Sequence, residues 1–371
     1  MISKFKTLVF IFWILLNPVI SFGQVPEYYS EIDFTKSSDE IKNQLHELIS
    51  DNIVFPYTSY ITDVWDILGI TDKDPNNNDN IILIYSGESK EIEFRDGGSS
   101  PYMLEIYKKY DNGKGSRGDS WNREHVYPKS RFNRGNDIDF EYNFDVQKSI
   151  NDERDIASDV HNLKPVKMRI NSSRSNRVFG FKDEGFLGDN GITSTGAYYP
   201  GDQFIGDIAR IIMYMHLRYE NISPASNVGE GLIIKEMPEI FLLWNQLDPP
   251  DEFEKNRNEI IYGFQQNRNP FIDNPYLATE IWGGPPTIDT WGVFKPYEID
   301  IFPETSSTSI EVIREYYGDD LIKFQIFDMS GKEVSKGKTV QNVDISFLEN
   351  GNYLLKLFIE DYVVSKKIKK I

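Results

Sequence analysis

The chain has 371 residues and not one cysteine. Disulfides, thiolate nucleophiles, cysteine-rich zinc sites and iron–sulfur clusters are therefore excluded together. Chemistry must run on oxygen and imidazole, and stability must come from the core or from bound ions. Histidine is scarce too: the four are His46, His125, His161 and His216, and they match no zinc-ligand spacing, which argues against a zinc hydrolase. Positive charge is in short supply, with 40 Lys and Arg against 58 Asp and Glu and a formal charge of −18. That balance repels a polyanion on average and argues against nucleic-acid binding. Beyond the N-terminal run, no segment is apolar for the roughly 20 residues that cross a bilayer. What is present in quantity is core-forming material, 39% hydrophobic and 14% aromatic, enough for two domains.

The N-terminal run reads as an export signal over 1–23: Lys4 and Lys6 supply the positive start, Leu8 to Phe22 is mostly apolar, and Ser21-Phe-Gly23 offers small residues for cleavage. Asn17-Pro18 interrupts it, so a spanning anchor is disfavoured and export through the periplasm is expected. Apolar residues recur at helical intervals between Ile41 and Leu68. The polar cluster Thr71 to Asn80 then reads as a solvated loop, since its spacing does not match an EF-hand, and calcium binding is the lesser alternative. Ile81 to Ser86 reads as a short buried strand. Helices are expected over Gln203–Tyr219, with a stripe of Ile205, Ile208, Ile212, Met215 and Tyr219, and over Asp251–Gln265 after Pro249-Pro250. Gln266 to Pro275 stops the second helix and reads as structural. From Trp291 to Thr308 the pattern loosens, and alternating strands with turns at Asp328–Lys332 and Asn350–Asn352 then predict a small β-sandwich. The expected division is 1–23 signal, 24–295 main domain, 296–315 linker and 316–371 β-domain.

Chemistry concentrates at Arg123-Glu124-His125, followed after 45 residues by Asn171 in Asn171-Ser-Ser-Arg174-Ser-Asn176. A phosphodiester resists hydrolysis because its charge repels nucleophiles and its alkoxide leaves poorly, so a catalyst must generate hydroxide and neutralise charge. A histidine base beside oxygen ligands for a hard cation can do both.

The words Arg117-Gly-Asp-Ser-Trp-Asn-Arg-Glu-His-Val-Tyr-Pro-Lys-Ser130 and Asp159-Val-His-Asn-Leu-Lys-Pro165 resemble the endonuclease I family of secreted bacterial nucleases, from Tyr60-Ile-Thr-Asp-Val-Trp65 to Pro275. The resemblance implies an α+β fold class: a mixed nuclease domain with a ββα-metal (His-Me finger) core, followed by the small C-terminal β-sandwich. It implies His125 as general base, Glu124 and Asn171 as ligands of Mg2+ (Mn2+ or Ca2+ as alternatives), and low-specificity cleavage of DNA, and of RNA as a second substrate, to 5′-phosphate ends. In that core a hairpin carries the histidine and a helix the asparagine; Trp121–Tyr127 suits the strand and the segment opening near Pro165 the helix. The family's arginine between histidine and asparagine has no counterpart at the matching spacing, and Arg131, Arg134 and Arg154 are the candidate substitutes. Ile326-Phe-Asp-Met-Ser-Gly-Lys-Glu-Val334, Leu348-Glu-Asn-Gly-Asn-Tyr-Leu-Leu-Lys356 and the Lys-rich end resemble the C-terminal sorting domain of the type IX secretion system. That implies the secretion machinery as partner and a secreted or cell-surface product, with no integral membrane segment in the mature chain and no further protein partner.

Local charge answers the composition. From His161 to Lys182 there are six basic residues and no acidic one, and from Lys114 to Arg134 basic residues outnumber acidic by six to two. Arg123, Lys129, Arg131, Lys167 and Arg174 are the expected nucleic-acid contacts, with Arg174 equally able to lock the helix to a carboxylate. Asp159, His161 and Asn176 are the expected structural supports, and His46 and His216 are assigned no role. One geometric problem stands out: neighbours on a regular strand face opposite ways, so Glu124 and His125 share a site only if the backbone bends or the metal sits at the rim. The rival reading is a surface nucleic-acid-binding or adhesive protein that keeps the fold without turnover, with loss of the family arginine as its support.

Overall fold

The computed structural model describes residues 24–59, 62–96, 117–133, 156–294, 300–313, 322–359 and 362–371. The expected signal segment and the residues Arg134 and Arg154 lie outside these. Helices and strands are mixed in the main domain, and among the described residues the C-terminal one is built of strands, which is the α+β class expected.

The expected helical run over 41–68 is two helices, α1 (Ser38–Ser50) and α2 (Val64–Thr71). Pro56 interrupts between them, and each helix starts on its own capping box, Ser37 with Glu40 and Asp63 with Asp66. The polar cluster that follows is no loose loop. It forms a small antiparallel sheet of β1 (Lys73–Asp74), β2 (Asn77–Ile82) and β3 (Ser89–Glu91). Asp72 is fully buried between Lys164 (2.9 Å) and Arg257 (3.0 Å), and Asp74 accepts from Ser89 Oγ (2.5 Å). The strand expected over Ile81–Ser86 ends early because the chain turns at Tyr85, whose φ is 71°.

Next come β4 (Trp121–His125), β5 (Leu163–Lys167) and α3 (Met168–Arg174), which carry the candidate site. Two short hairpins follow in the chain, β6 (Gly191–Ile192) with β7 (Tyr198–Tyr199) and β8 (Ile233–Ile234) with β9 (Met237–Pro238). The helices α4 (Ile205–Tyr219), α5 (Glu239–Leu247), α6 (Glu252–Gln265), α7 (Pro270–Asp273) and α8 (Tyr276–Trp282) complete the domain. Sequence periodicity assigns α4 one apolar stripe. In the fold it is buried almost all round, with Ala209, Ile211, Met213, Tyr214 and Leu217 in the core as well, because α1, α5 and α7 pack about it. Its Arg210 survives burial by a two-pronged ion pair with Glu254, at 2.8 and 2.5 Å. The segment after α6 is structural as expected: Asn267, Asn269 and Asn274 are buried and bond to Ile49 O, Arg210 O and Asp289 respectively.

A second, smaller core of Val64, Trp65, Leu68, Ile81, Leu83, Trp121, Val160, Leu163 and Ile261 fixes β4 and β5 against α2 and α6. The C-terminal strands are β10 (Asp300–Phe302), β11 (Thr305–Ser306), β12 (Ser309–Ile313), β13 (Ile322–Asp328), β14 (Glu333–Thr339), β15 (Asn342–Asp344), β16 (Gly351–Ile359) and β17 (Tyr362–Lys370). They make a three-stranded sheet, β10-β12-β15, and a five-stranded sheet, β11-β17-β16-β13-β14, with Ile301, Ile310, Val343, Ile326, Leu355 and Leu357 in their shared core. The linker expected over 296–315 is thereby corrected. Ile301, Ile310 and Val312 are core residues, so the β-domain begins by residue 300 and not at 316. Among the described residues no helix is long and apolar enough to cross a membrane.

Candidate active site

β4 and β5 pair antiparallel in unbroken register, Trp121 opposite Lys167 through His125 opposite Leu163, and α3 follows β5 at once. The helix therefore opens at Met168 and not near Pro165. Pro165 is a strand residue opposite Arg123; it lacks an N–H, and its carbonyl accepts from Ile84 N at 2.9 Å. No bulge relieves the alternation of faces along β4, so the geometric problem at Glu124 and His125 is real.

On one face lie Asn122 and Glu124, against α3. Asn171 Nδ2 donates to Asn122 Oδ1 (2.9 Å) and to Arg123 O (3.3 Å), which leaves its Oδ1 as the amide's remaining polar atom. Glu124, 1% exposed, accepts from Tyr85 OH at 2.9 Å and faces Arg174 at 3.2 Å, both through Oε1. Burial raises the Glu124 pKa, and the Arg174 guanidinium and the Tyr85 hydroxyl oppose that rise. Arg174 is the locking residue and not a phosphate contact. It is 1% exposed, donates to the carbonyls of His125 (3.2 Å) and Val126 (2.6 Å), and lies 4.6 Å over the Phe179 ring.

On the opposite face stand Arg123 and His125. The imidazole stacks on Tyr57 at 5.4 Å and 27°. Its Nε2 lies 2.7 Å from Ala157 O, and since a carbonyl only accepts, Nε2 carries the hydrogen and Nδ1 holds the lone pair of the neutral ring. Burial first, then the nearby Lys129 cation, pushes the His125 pKa down to about 3, against the raising effect of the Ala157 carbonyl; the ring is neutral at pH 7. Arg123, expected on nucleic acid, is held inward. Its guanidinium sits between Tyr57 (3.3 Å to the ring centre) and Trp65 (4.2 Å) and bonds to Tyr57 O and Thr58 Oγ1.

The other expected contacts are also engaged. Lys129 lies 5.2 Å over the Tyr57 ring, and Arg131 bonds to Asn176 O and Asn227 O. Lys167 pairs with Glu88 at 2.8 Å. Within the basic run, Lys164 pairs with Asp72, Arg169 with Asp119 and Lys182 with Asp202, as Arg174 does with Glu124; only Arg177 faces no carboxylate among the described residues. The run that is purely basic in sequence is thus largely neutralised by carboxylates from elsewhere in the chain. Asp159 and His161 are held by buried hydrogen bonds: Asp159 accepts from Tyr214 (2.8 Å), Tyr219 (2.8 Å) and Gln265 (3.1 Å), and His161 is buried against Tyr214 and Asn267 O. Asn176 reaches Ser130 Oγ and not the site. His46 bonds to Leu217 O and His216 lies by Glu236, both outside the site as expected.

Three contributors escaped the sequence reading. Asn122 sits two residues before Glu124, hence on its face, and period-two reasoning could have found it. Tyr57 and Tyr85 come from distant segments with no local signal.

The arrangement defines an α+β domain whose strand, strand and helix present one neutral histidine and two oxygen donors, followed by a separate β-domain. The Endonuclease I family model matches residues 37–276, and a Secretion system C-terminal sorting domain model matches 300–370. Similar curated proteins include the Extracellular ribonuclease of Bacillus subtilis (strain 168), 34% identical over 286 residues, 72% of this chain and 82% of the relative. The Extracellular ribonuclease of Bacillus amyloliquefaciens is 36% identical over 270 residues (69% and 78%), and the Endonuclease-1 of Buchnera aphidicola subsp. Baizongia pistaciae is 28% identical over 163 (40% and 60%). The chain belongs to the Endonuclease I family and carries a C-terminal secretion sorting domain.

Proposed function

We propose that this chain is a secreted or surface-held, metal-dependent endonuclease of low sequence specificity that hydrolyses RNA as well as DNA, with His125 as general base. RNA takes a larger place than sequence alone gives it, because the two relatives that cover most of the chain are both named extracellular ribonucleases. The observation that carries the mechanism is the Nε2–Ala157 bond, which fixes the tautomer and leaves Nδ1 to take a proton from water. Two further observations support the metal. Glu124 Oε2 takes no hydrogen bond among the described residues, and Asn171 has its amide nitrogen, not its oxygen, engaged. One carboxylate oxygen and one amide oxygen from α3 and the facing side of β4 fit a hard cation that keeps most of its coordination for water and phosphate. A divalent ion held by Glu124 and Asn171, Mg2+ by preference, would supply charge neutralisation for the phosphate.

The protein's own groups do the rest. Arg174 cancels part of the Glu124 charge and holds α3 to the strand end through the His125 and Val126 carbonyls, so donors and base keep one relative position. Because the two sides of β4 are occupied separately, the substrate phosphate must reach both at the strand's C-terminal rim, where His125 is the last residue. Entry of an anionic phosphate opposes the cations that depress the imidazole, which raises its basicity when it is needed. Attack by water with departure of the 3′ oxygen leaves 5′-phosphate and 3′-hydroxyl ends. The β4–β5–α3 order supports the ββα-metal reading of the core, and the sorting domain supports export by the type IX route.

The test is digestion of plasmid and RNA by the mature chain with Mg2+, with EDTA, and by His125→Ala. Activity should vanish in EDTA and fall at least a hundredfold in the variant, in line with the roughly 10²–10⁴ that a general base contributes. Digestion that persists in EDTA or in His125→Ala overturns the mechanism.

A further inference from the structure

Three guanidinium groups gather at the C-terminal end of α3, and carboxylates among the described residues answer one of them. Arg174 faces Glu124 at 3.2 Å. Arg131 and Arg177, both half-buried, face no carboxylate among the described residues, and their partners are main-chain carbonyls. Arg131 donates from Nε to Asn176 O and from Nη1 to Asn227 O at 2.8 Å; Arg177 donates from Nη1 to Ser173 O (2.5 Å) and Arg174 O (3.4 Å). On both side chains Nη2 donates to no group among the described residues. A carbonyl fixes a guanidinium in place but leaves its full charge, so two cations stand here with an open donor each. Burial, and then the Arg174 cation, lower the Arg131 pKa, which reflects the same crowding of like charge.

The backbone around them is strained and tied down. Ser175 has φ 54° and ψ −129°, a left-handed conformation that favours glycine. It leads from the helix into Asn176, whose carbonyl accepts from Arg131 and whose Nδ2 donates to Ser130 Oγ at 3.1 Å. Asn227 closes the arrangement, donating from Nδ2 to Arg131 O at 3.0 Å while its own carbonyl accepts from Arg131. Three segments far apart in the chain thus hold the two guanidiniums, and Ser130, Ser175 and Asn176 lie exposed beside them. The cluster adjoins the candidate site without being part of it. Arg174 donates to His125 O at 3.2 Å, and Asn171 lies one helical turn before Arg174, about 5 Å along the axis. An anion held at the end of α3 is therefore a neighbour of one held at Asn171, not the same one.

We propose that Arg131 and Arg177 form a phosphate subsite that holds the backbone phosphate next to the scissile one, so that the protein selects substrates with phosphates in succession. The inference deepens the reading of this domain as a nuclease and rests on it. Guanidinium suits the ligand, because its planar fork of N–H donors matches two phosphate oxygens. The subsite also fills a gap, since Lys167, Arg169 and Lys182 are paired with carboxylates. A purely capping role for Arg177 at the end of α3 explains its carbonyl bonds but not the convergence of Arg131 on the same turn. Capping would also make no difference between short and phosphate-flanked substrates.

The experiment compares the mature chain with the double variant Arg131→Gln, Arg177→Gln and with Arg177→Gln alone. With Mg2+, kcat/KM is measured on uridylyl-uridine, which has one diester, and on its form phosphorylated at the outer 5′ and 3′ positions, which has the same scissile bond flanked by phosphates. The parent should cleave the flanked substrate about tenfold better or more, in line with the worth of a charge-assisted hydrogen bond. That ratio should fall to about one in the double variant and part of the way in the single one. In EDTA, binding of fluorescein-labelled oligouridylate followed by anisotropy should weaken about tenfold in the double variant, with the slope of log K against log salt reduced by roughly 0.7, the share of one phosphate contact on a single strand. If the double variant does not fold, Arg177→Gln, which leaves the Arg131 bonds in place, carries the same comparison. A parent ratio near one, a ratio and salt slope unchanged in the variants, or an equal loss on both substrates overturns the subsite. A parent that binds through these residues but cleaves neither substrate overturns the nuclease mechanism and leaves the subsite standing; a parent that cleaves both while the variants keep its ratio does the reverse.

Discussion

Replacing Arg174 by alanine tests the most economical claim about the site, that one buried guanidinium holds helix and strand together. Its two terminal nitrogens serve Glu124 at 3.2 Å and the carbonyls of His125 and Val126 at 3.2 and 2.6 Å, inside a shell that excludes water. Removing one partner of a buried pair costs about 3–5 kcal/mol, because the other charge stays behind uncompensated. Glu124 retains Tyr85 as a donor, which trims the loss, and the two orphaned carbonyls add to it, so we expect about 4 kcal/mol. All five tryptophans beyond the N-terminal segment, Trp65, Trp121, Trp244, Trp282 and Trp291, belong to the α+β domain. Urea unfolding followed by tryptophan fluorescence therefore reports this domain without interference from the β-sandwich. A double-mutant cycle with Glu124→Ala should show the two losses far from additive, since each removes the same pair. A loss below about 1 kcal/mol, or additivity within about 0.5 kcal/mol, refutes the locking role.

Two further predictions come from the packing around the site. Tyr57 stacks on His125, so Tyr57→Leu should lower kcat by roughly tenfold with little change in KM, and Tyr57→Phe, which keeps the ring, should restore it; equal losses in both variants would show that stacking is not what orients the imidazole. His161 is buried, which pushes its pKa down to about 4 from the usual 6.5 despite the nearby Asp159. Its unfolded form takes up a proton below pH 6.5 and its folded form does not until about pH 4, so stability is lost as pH falls through that window, by up to about 3 kcal/mol. His161→Gln should flatten the acid limb of a stability-against-pH curve between pH 6.5 and 4, and an unchanged limb counts against the burial argument.

How far the site could be read in one dimension depends on where each residue's partners lie. Helices α4 and α6 were visible to within two residues because their signals, apolar spacing and an Asp251 cap, are local. The run from Ile41 to Leu68 looked continuous because Pro56 and the second capping box at Asp63 are small features inside a persistent apolar rhythm. The basic run from His161 to Lys182 misled for the opposite reason. Its counter-charges, Asp72, Glu88, Asp119, Glu124 and Asp202, come from other segments, and no window along the chain contains them all.

The sequence by itself determined the absence of thiol chemistry and the two-part organisation, and residue type, spacing and the family resemblance together put forward the Glu124, His125 and Asn171 set. Tertiary structure alone decided how those residues are divided. Regular pairing with β5 sends Glu124 toward α3 and His125 toward Tyr57, and it turns Arg123 and Arg174 from expected substrate contacts into internal clamps. A side chain's direction follows from its strand's register, and its charge from whatever the fold brings beside it. Both are properties of segments far apart in the chain, which is why the counter-charges of the basic run emerge only in the folded structure.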